Sequence, residues 1–171
     1  MKINDKLLDT LNRQVTAEHQ AALIYQQLAY DLDALSFSGM SSWMMAQADE
    51  ERAHAEKIAD HILARGAKVK LGDIEIPDLE VSSPLDAFTI SLEHERQVSE
   101  MIRNLARVAD EVQDLDSRTL VNWFLNEQIE EEDTVGGIID QLKLVGEDGA
   151  GLLRIDARLG AERDPLTGPA Q

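Results

Sequence analysis

Apolar residues recur along most of this chain in three- and four-residue steps, the spacing that gathers side chains on one face of an α-helix. The first stripe is Leu11, Val15, Glu18, Ala22, Tyr25, Ala29 and Leu32, which predicts a helix over residues 5–35. Ser36-Phe37-Ser38-Gly39 breaks the pattern, with Ser38 or Gly39 expected to cap the next helix. The second stripe, Met40, Met44, Gln47, Glu51, His54, Ile58 and Ile62, predicts a helix over 40–65, closed by Gly66. The third, Phe88, Leu92, Glu95, Val98, Ile102, Leu105 and Ala109, predicts 84–111, with Pro84 in its first turn behind a Ser cap. The fourth, Phe124, Gln128, Glu131, Val135, Ile138, Leu142 and Val145, predicts 115–145. Gly136-Gly137 lies inside it, each Gly costing about 1 kcal/mol relative to Ala. A kink or a close helix contact would rationalise the pair, and the pattern leaves both open. A short fifth helix is expected over 152–159.

The connections set the architecture. Residues 67–83 look extended and are punctuated by Pro77 and Pro84. That length suits a crossover from one end of a bundle to the other. The link over 112–117 is short and polar, as antiparallel neighbours require. The reading is therefore all-α: an antiparallel four-helix bundle with a long crossover between helices two and three and a short fifth C-terminal helix. One domain is expected over 1–160. The tail over 161–171, with two prolines, is expected to be mobile.

Composition agrees. The 171 residues are 43% hydrophobic but only 4% aromatic, the mix of a helix bundle rather than a sandwich. The absence of Cys excludes disulfides, thiolate metal sites and thiol catalysis. The N-terminus has no apolar run suited to a signal peptide, and no stretch approaches the ~20 apolar residues of a membrane span. A cytoplasmic protein is the resulting expectation. The net charge of −17 argues against binding nucleic acid or anionic membranes, which need a basic footprint, and is compatible with attracting cations.

The chemistry lies in what interrupts the apolar stripes. Glu18, Glu51, Glu95 and Glu131 each fall near the middle of a different long helix, in register with apolar residues, and His54 sits one turn after Glu51. Antiparallel packing brings four helix midpoints to one level. Each unpaired buried ion costs several kcal/mol, so four carboxylates meeting there call for counter-cations. Carboxylate oxygen and neutral imidazole are ligands for iron, manganese or zinc. Two dications bridged by carboxylates would neutralise the layer, the pattern of di-metal bundles. Taken singly, each Glu reads more simply as a boundary residue reaching water, His54 as a core histidine and Tyr25 as packing. The joint placement carries the metal reading. Glu50, Glu127 and Glu130 lie at the edge of the same stripes and form a candidate third cation site on the flank, against a solvated acidic face as the plain alternative.

Over residues 1 to 160 the chain resembles the bacterial non-haem ferritins. The resemblance rests on NRQVTAEHQAALIYQQ (12–27), DEERAHAEKI (49–58), LEHERQVSEMIRNLA (92–106) and WFLNEQIEEE (123–132). It implies a ferroxidase centre, with one iron held by Glu18, Glu51 and His54 and the second by Glu51, Glu95 and Glu131, so that Glu51 bridges. It implies Gln128 beside the second iron and Tyr25 hydrogen-bonded near the centre and involved in electron supply. Glu50, Glu127 and Glu130 match the family's third iron site. It further implies oxidation of Fe(II) to Fe(III) by dioxygen or peroxide, and storage of ferric oxyhydroxide in a homo-oligomeric 24-subunit cage. Bacterioferritins carry a haem-ligating Met after the bridging acid. Arg52 stands there, so no haem is expected. Their second acid-xx-His motif is here Gln128-Ile-Glu-Glu131, without His. The acids that line iron entry in animal ferritins correspond to Arg118 and Val121. Two competing readings remain: a di-metal oxygenase or peroxidase on the same bundle, and a metal-free helical interaction module.

Overall fold

Among the described residues there are four long helices and one short one, in the order α1 (Asp5–Ala34), α2 (Ser38–Ala64), α3 (Pro84–Glu111), α4 (Arg118–Val145) and α5 (Gly149–Glu162). The computed structural model describes residues 2–162. The long helices run 27 to 30 residues, on the order of 40 Å at ~1.5 Å per residue. They begin and end largely where the sequence punctuates them. The Asn4 side chain accepts from Lys6 N–H to cap α1, and the Ser83 hydroxyl accepts from Asp86 N–H to cap α3, with Pro84 as its first residue. Gly66 and Gly146 take positive φ of 71° and 55° after α2 and α4. No described helix is long and apolar enough to cross a membrane.

The apolar core falls into two clusters, one in each half of the bundle. The first gathers Tyr25, Leu28, Leu32, Met40, Met44, Phe88, Val135, Ile138 and Leu142, with Ile155 and Leu159 of α5. The second gathers Leu7, Leu11, Val15, Ile58, Ile62, Ile102, Leu105, Val121 and Phe124. The N-terminal half of α1 therefore meets the C-terminal halves of α2 and α3 and the N-terminal half of α4. Helices α2 and α3 are parallel, so the chain between them must travel the length of the bundle. It does so along α1, held by three side chains one turn apart: Asn12 Oδ1 accepts from Lys70 N–H (2.7 Å), Thr16 Oγ1 from Gly72 N–H (3.0 Å), and Gln20 Nε2 donates to Glu75 O (2.7 Å).

Several boundaries depart from the sequence reading. Ser38 and Gly39 are the first two residues of α2 rather than its cap. Phe37 holds the N-cap position without a side-chain bond. The Met40 N–H is instead bonded by Asp156 Oδ1 of α5, at 2.8 Å and 116 residues away. Helix α4 begins at Arg118, not 115, because Asp114 ties the preceding link: its carboxylate accepts from Ser117 N–H and from the Arg65 guanidinium. Gly136-Gly137 sits in an uninterrupted helix, and a Cβ at either would meet nothing within 4 Å. No close helix contact among the described residues accounts for them. Helix α5 is longer than expected, Leu159 being fully buried and Arg158 pairing with Glu162 at 2.5 Å. Ala161 and Glu162 are the last two residues of α5. Residues 163–171 of the expected mobile tail lie outside the described residues.

Candidate metal centre

Between the two apolar clusters lies a polar layer. Glu18 from α1, Glu51 and His54 from α2, Glu95 from α3, and Gln128 and Glu131 from α4 are all buried, together with Gln14 and Gln47. Each lies on its helix's apolar stripe, so packing of the flanking Leu, Ile and Val turns it inward regardless of its own preference for water. Four acids from four helices are thereby forced into one dry level.

The tightest group is Glu18, Glu51 and His54, whose ligand atoms all lie within 4.8 Å of one another. His54 Nδ1 is 3.3 Å from Glu51 Oε2. Glu18 Oε1 accepts from Gln14 Nε2 at 2.9 Å, while Glu18 Oε2 is buried and has no hydrogen-bond partner. A carboxylate oxygen without a donor at this depth is costly unless a proton shared with Glu51 or a cation covers it. Glu95 and Glu131 line the same layer but do not close into a comparably tight group with Glu51. Glu95 Oε1 accepts from the Tyr25 hydroxyl (2.6 Å) and Oε2 from Gln128 Nε2 (3.1 Å), and Glu131 Oε2 accepts from Gln47 Nε2 (3.0 Å).

The electrostatics follow from burial. Glu18 and Glu51 are raised well above ordinary carboxylates, first by burial and next by the neighbouring charges, Glu51 on Glu18 and Glu95 on Glu51. Glu131 is pushed up to about 8, by burial and then by Glu95 and Glu50. Glu95 is also raised by burial, opposed by the hydrogen bonds from Tyr25 and Gln128. The Tyr25 phenol is raised by burial and by Glu95, so it keeps its proton and donates. The layer holds protons where it lacks cations, and dications would displace them.

A second group forms on the flank from Glu50, His54 and Glu127, again within 4.8 Å. His54 Nε2 stands 4.0 Å from Glu127 Oε1. Glu130, expected in this site, is exposed and lies outside the group, though its charge helps raise Glu127. The imidazole thus faces the central group with one nitrogen and the flank with the other. Its ring is held edge-on by Trp123 (5.4 Å, 77°) and Phe124 (5.7 Å, 81°), and Lys57 Nζ lies 4.3 Å from the centre of the Trp123 ring. Sequence reading missed Gln14, the Trp123 wall and the double role of His54. Gln14 had a usable signal, being one turn before Glu18 on the same stripe.

Arg52, next to Glu51, turns outward and bonds Asp49 and Gln26 Oε1. Gln128 Nε2 also contacts the Glu95 carbonyl oxygen (3.2 Å) and Ser99 Oγ (3.3 Å), and Ser99 Oγ donates to Glu132 Oε1 at 2.5 Å.

Comparison with known proteins agrees with this geometry. The family described as Ferritin, a ferritin-like domain, matches residues 8–145. The chain is 35% identical over 158 residues to a bacterial non-heme ferritin of Bacteroides fragilis, covering 92% of this chain and 98% of that one. It is 38% identical over 159 residues to a bacterial non-heme ferritin of Staphylococcus epidermidis, covering 93% and 96%. Among solved structures, one described as a novel open pore ferritin from the hyperthermophilic archaeon Archaeoglobus fulgidus superposes with a TM-score of 0.90 at 38% identity, covering 92% of this chain and 96% of that one. An engineered closed form of the same archaeal ferritin gives 0.90 at 38% identity, covering 93% and 97%. With its fold, its acidic layer and these relatives, this chain belongs to the ferritin family.

Proposed function

We propose that this chain stores iron, oxidising Fe(II) to Fe(III) with dioxygen or peroxide at a di-iron centre inside each subunit and holding the ferric oxyhydroxide in a 24-subunit cage. The observation that carries the reading is the bare Glu18 Oε2, buried in a layer where four helices each supply a carboxylate. In the proposal Glu18, Glu51 and His54 take one ion and Glu51, Glu95 and Glu131 the other, with Glu51 shared. Each Fe(II) gives up one electron and the oxidant takes both. The ligand set is mostly hard carboxylate oxygen, which favours the higher charge of Fe(III).

The surrounding residues keep the site in order. Tyr25, with its proton retained, holds Glu95 Oε1 and is positioned next to the centre as an electron donor. Gln128 holds the other Glu95 oxygen. A single histidine in the set leaves the ferric product labile enough to move on to the store. Glu50 and Glu127, with Glu130 on the exposed side, are proposed as the third iron position on the way in or out. Haem plays no part in the proposal, since Arg52 stands beside Glu51 and is engaged by Asp49 and Gln26. A cytoplasmic setting completes the reading.

Fe(II) added in air tests it. Rapid oxidation is expected, growing into an amber ferric product far beyond two irons per chain. Glu18→Ala and His54→Ala should each abolish the fast phase while leaving the assembly intact. Fast oxidation persisting in both variants would overturn the site assignment. A solution mass near 19.0 kDa by light scattering would rule out the cage.

A further inference from the structure

The terminal carboxylates of the layer share a feature that the di-iron reading does not use. Each has one oxygen occupied by a glutamine amide. Gln14 Nε2 donates to Glu18 Oε1 at 2.9 Å, Gln47 Nε2 to Glu131 Oε2 at 3.0 Å, and Gln128 Nε2 to Glu95 Oε2 at 3.1 Å. The glutamines come from α1, α2 and α4, and they are 1%, 0% and 5% exposed. Burying a primary amide is unfavourable unless it is bonded, and a Met or Leu at these stripe positions would extend the apolar core at less cost. Their presence calls for a reason beyond packing.

The chemistry of the amide supplies one. It is neutral at every pH and its nitrogen only donates, so it holds a carboxylate oxygen without competing as an anionic ligand. A carboxylate with one oxygen held this way presents the other unless a second donor takes it, as the Tyr25 hydroxyl does at Glu95 Oε1. Glu18 is the clearest case: Oε1 is bonded, Oε2 is bare, and the two are inequivalent before any ion arrives. A freely turning carboxylate would be able to clasp a cation with both oxygens and fill its coordination sphere. A pinned one gives a single bond and leaves positions open for an oxidant.

We infer that Gln14 and Gln47 are positioning residues that fix Glu18 and Glu131 as single-oxygen ligands, Gln14 for the ion held with Glu51 and His54 and Gln47 for the ion held with Glu51 and Glu95. The inference rests on the di-iron reading above. The two bonds differ in reach. Gln14 and Glu18 are one turn apart on the same helix, so breaking their bond leaves the helix packing alone. Gln47 reaches from α2 to α4.

The test uses the full-length assembled protein with Co(II), which has no redox reaction here and whose visible bands report coordination number. Glu18→Ala and Glu131→Ala supply reference spectra for protein lacking one or the other position. Gln14→Met keeps length and volume and removes the donor. It should weaken the Glu18 position about 10–100-fold, the range for outer-shell partners. It should also shift that position's bands toward higher coordination number and leave the Glu131 position unchanged. Gln47→Met should do the reverse. Should Gln14→Met fail to assemble, Gln14→Asn, whose amide is too short to reach, should give the same one-sided loss. Equal weakening of both positions in each variant, or no change in affinity and bands, overturns the inference. Wild-type protein that fails to load two Co(II) per chain would instead refute the di-iron reading itself.

Discussion

His54 has a carboxylate at each of its ring nitrogens, Glu51 at 3.3 Å and Glu127 at 4.0 Å, so one residue links the central group to the flank. Titration at the residue scale gives a prediction with a definite sign. Glu131 holds its proton up to about 8 in the fold against an ordinary 4.5. The folded state therefore binds more protons between those values, and this contribution to stability is fully present below about pH 4.5 and lost as pH rises through about 8. Glu18 and Glu51 are shifted the same way. His94 is opposite: burial lowers it from 6.5 to about 4, so its contribution is present above about pH 6.5 and lost as pH falls toward 4. From about pH 5 upward the three raised carboxyls outweigh the one histidine, so the melting temperature of metal-free protein should fall steadily toward pH 8, with an acid limb from His94 below about pH 5. Glu131→Gln should flatten the alkaline limb in part, and His94→Gln the acid limb. Zn(II) should remove the alkaline fall by replacing protons with cations. A calorimetric pH series checks all three, and metal-free protein that gains stability from pH 6 to 8 would refute the account.

At the scale of elements, the start of α2 depends on α5. Asp156 Oδ1 caps the Met40 N–H, and the approach is so close that a Cβ on Gly39 would lie 1.9 Å from the Asp156 carbonyl oxygen. Asp156→Ala should destabilise the protein by about 0.5–2 kcal/mol, the range for a lost N-cap. Gly39→Ala should cost more, because the contact is with backbone and α5 must move. Gly136 and Gly137 are the contrast. With open space at both, Gly136→Ala and Gly137→Ala should each stabilise the isolated subunit by roughly 0.5–1 kcal/mol. Denaturant unfolding measures these four substitutions. A neutral Asp156→Ala would mean that α5 contributes only its apolar face, Ile155 and Leu159.

At the scale of the whole molecule, charge and the split core matter together. A net charge of −17 draws cations toward the subunit, and that attraction is screened over about 8 Å at physiological ionic strength. The initial rate of Fe(II) oxidation at limiting iron should therefore fall as NaCl is raised, while the extent of loading at saturating iron changes little. Stopped-flow absorbance at several salt concentrations reads both, and a rate indifferent to salt would exclude long-range steering. The two apolar clusters on either side of the acidic layer explain how the fold tolerates that layer. Each half of the bundle has its own dry core, so the centre can carry protons or ions without dissolving the packing. Glu18→Ala should accordingly leave the assembly folded.

The chain by itself determined the helices, their faces and the acids on them, because periodicity is local: Glu18, Glu51, His54, Glu95 and Glu131 could be assigned to the interior from neighbours within one or two turns. Pro84 behind Ser83, and Gly66, were legible for the same reason, since caps act on adjacent backbone. Tertiary structure alone decided what bonds across distance. Asp156 caps a helix 116 residues away, Asn12, Thr16 and Gln20 carry the crossover, and His54 joins Glu50 and Glu127 where Glu130 was expected. It also decided that one oxygen of Glu18 is held and the other left bare, while both oxygens of Glu95 are held. Those choices depend on the angle and depth at which four helices meet, and no periodicity along one helix encodes its rotation against another.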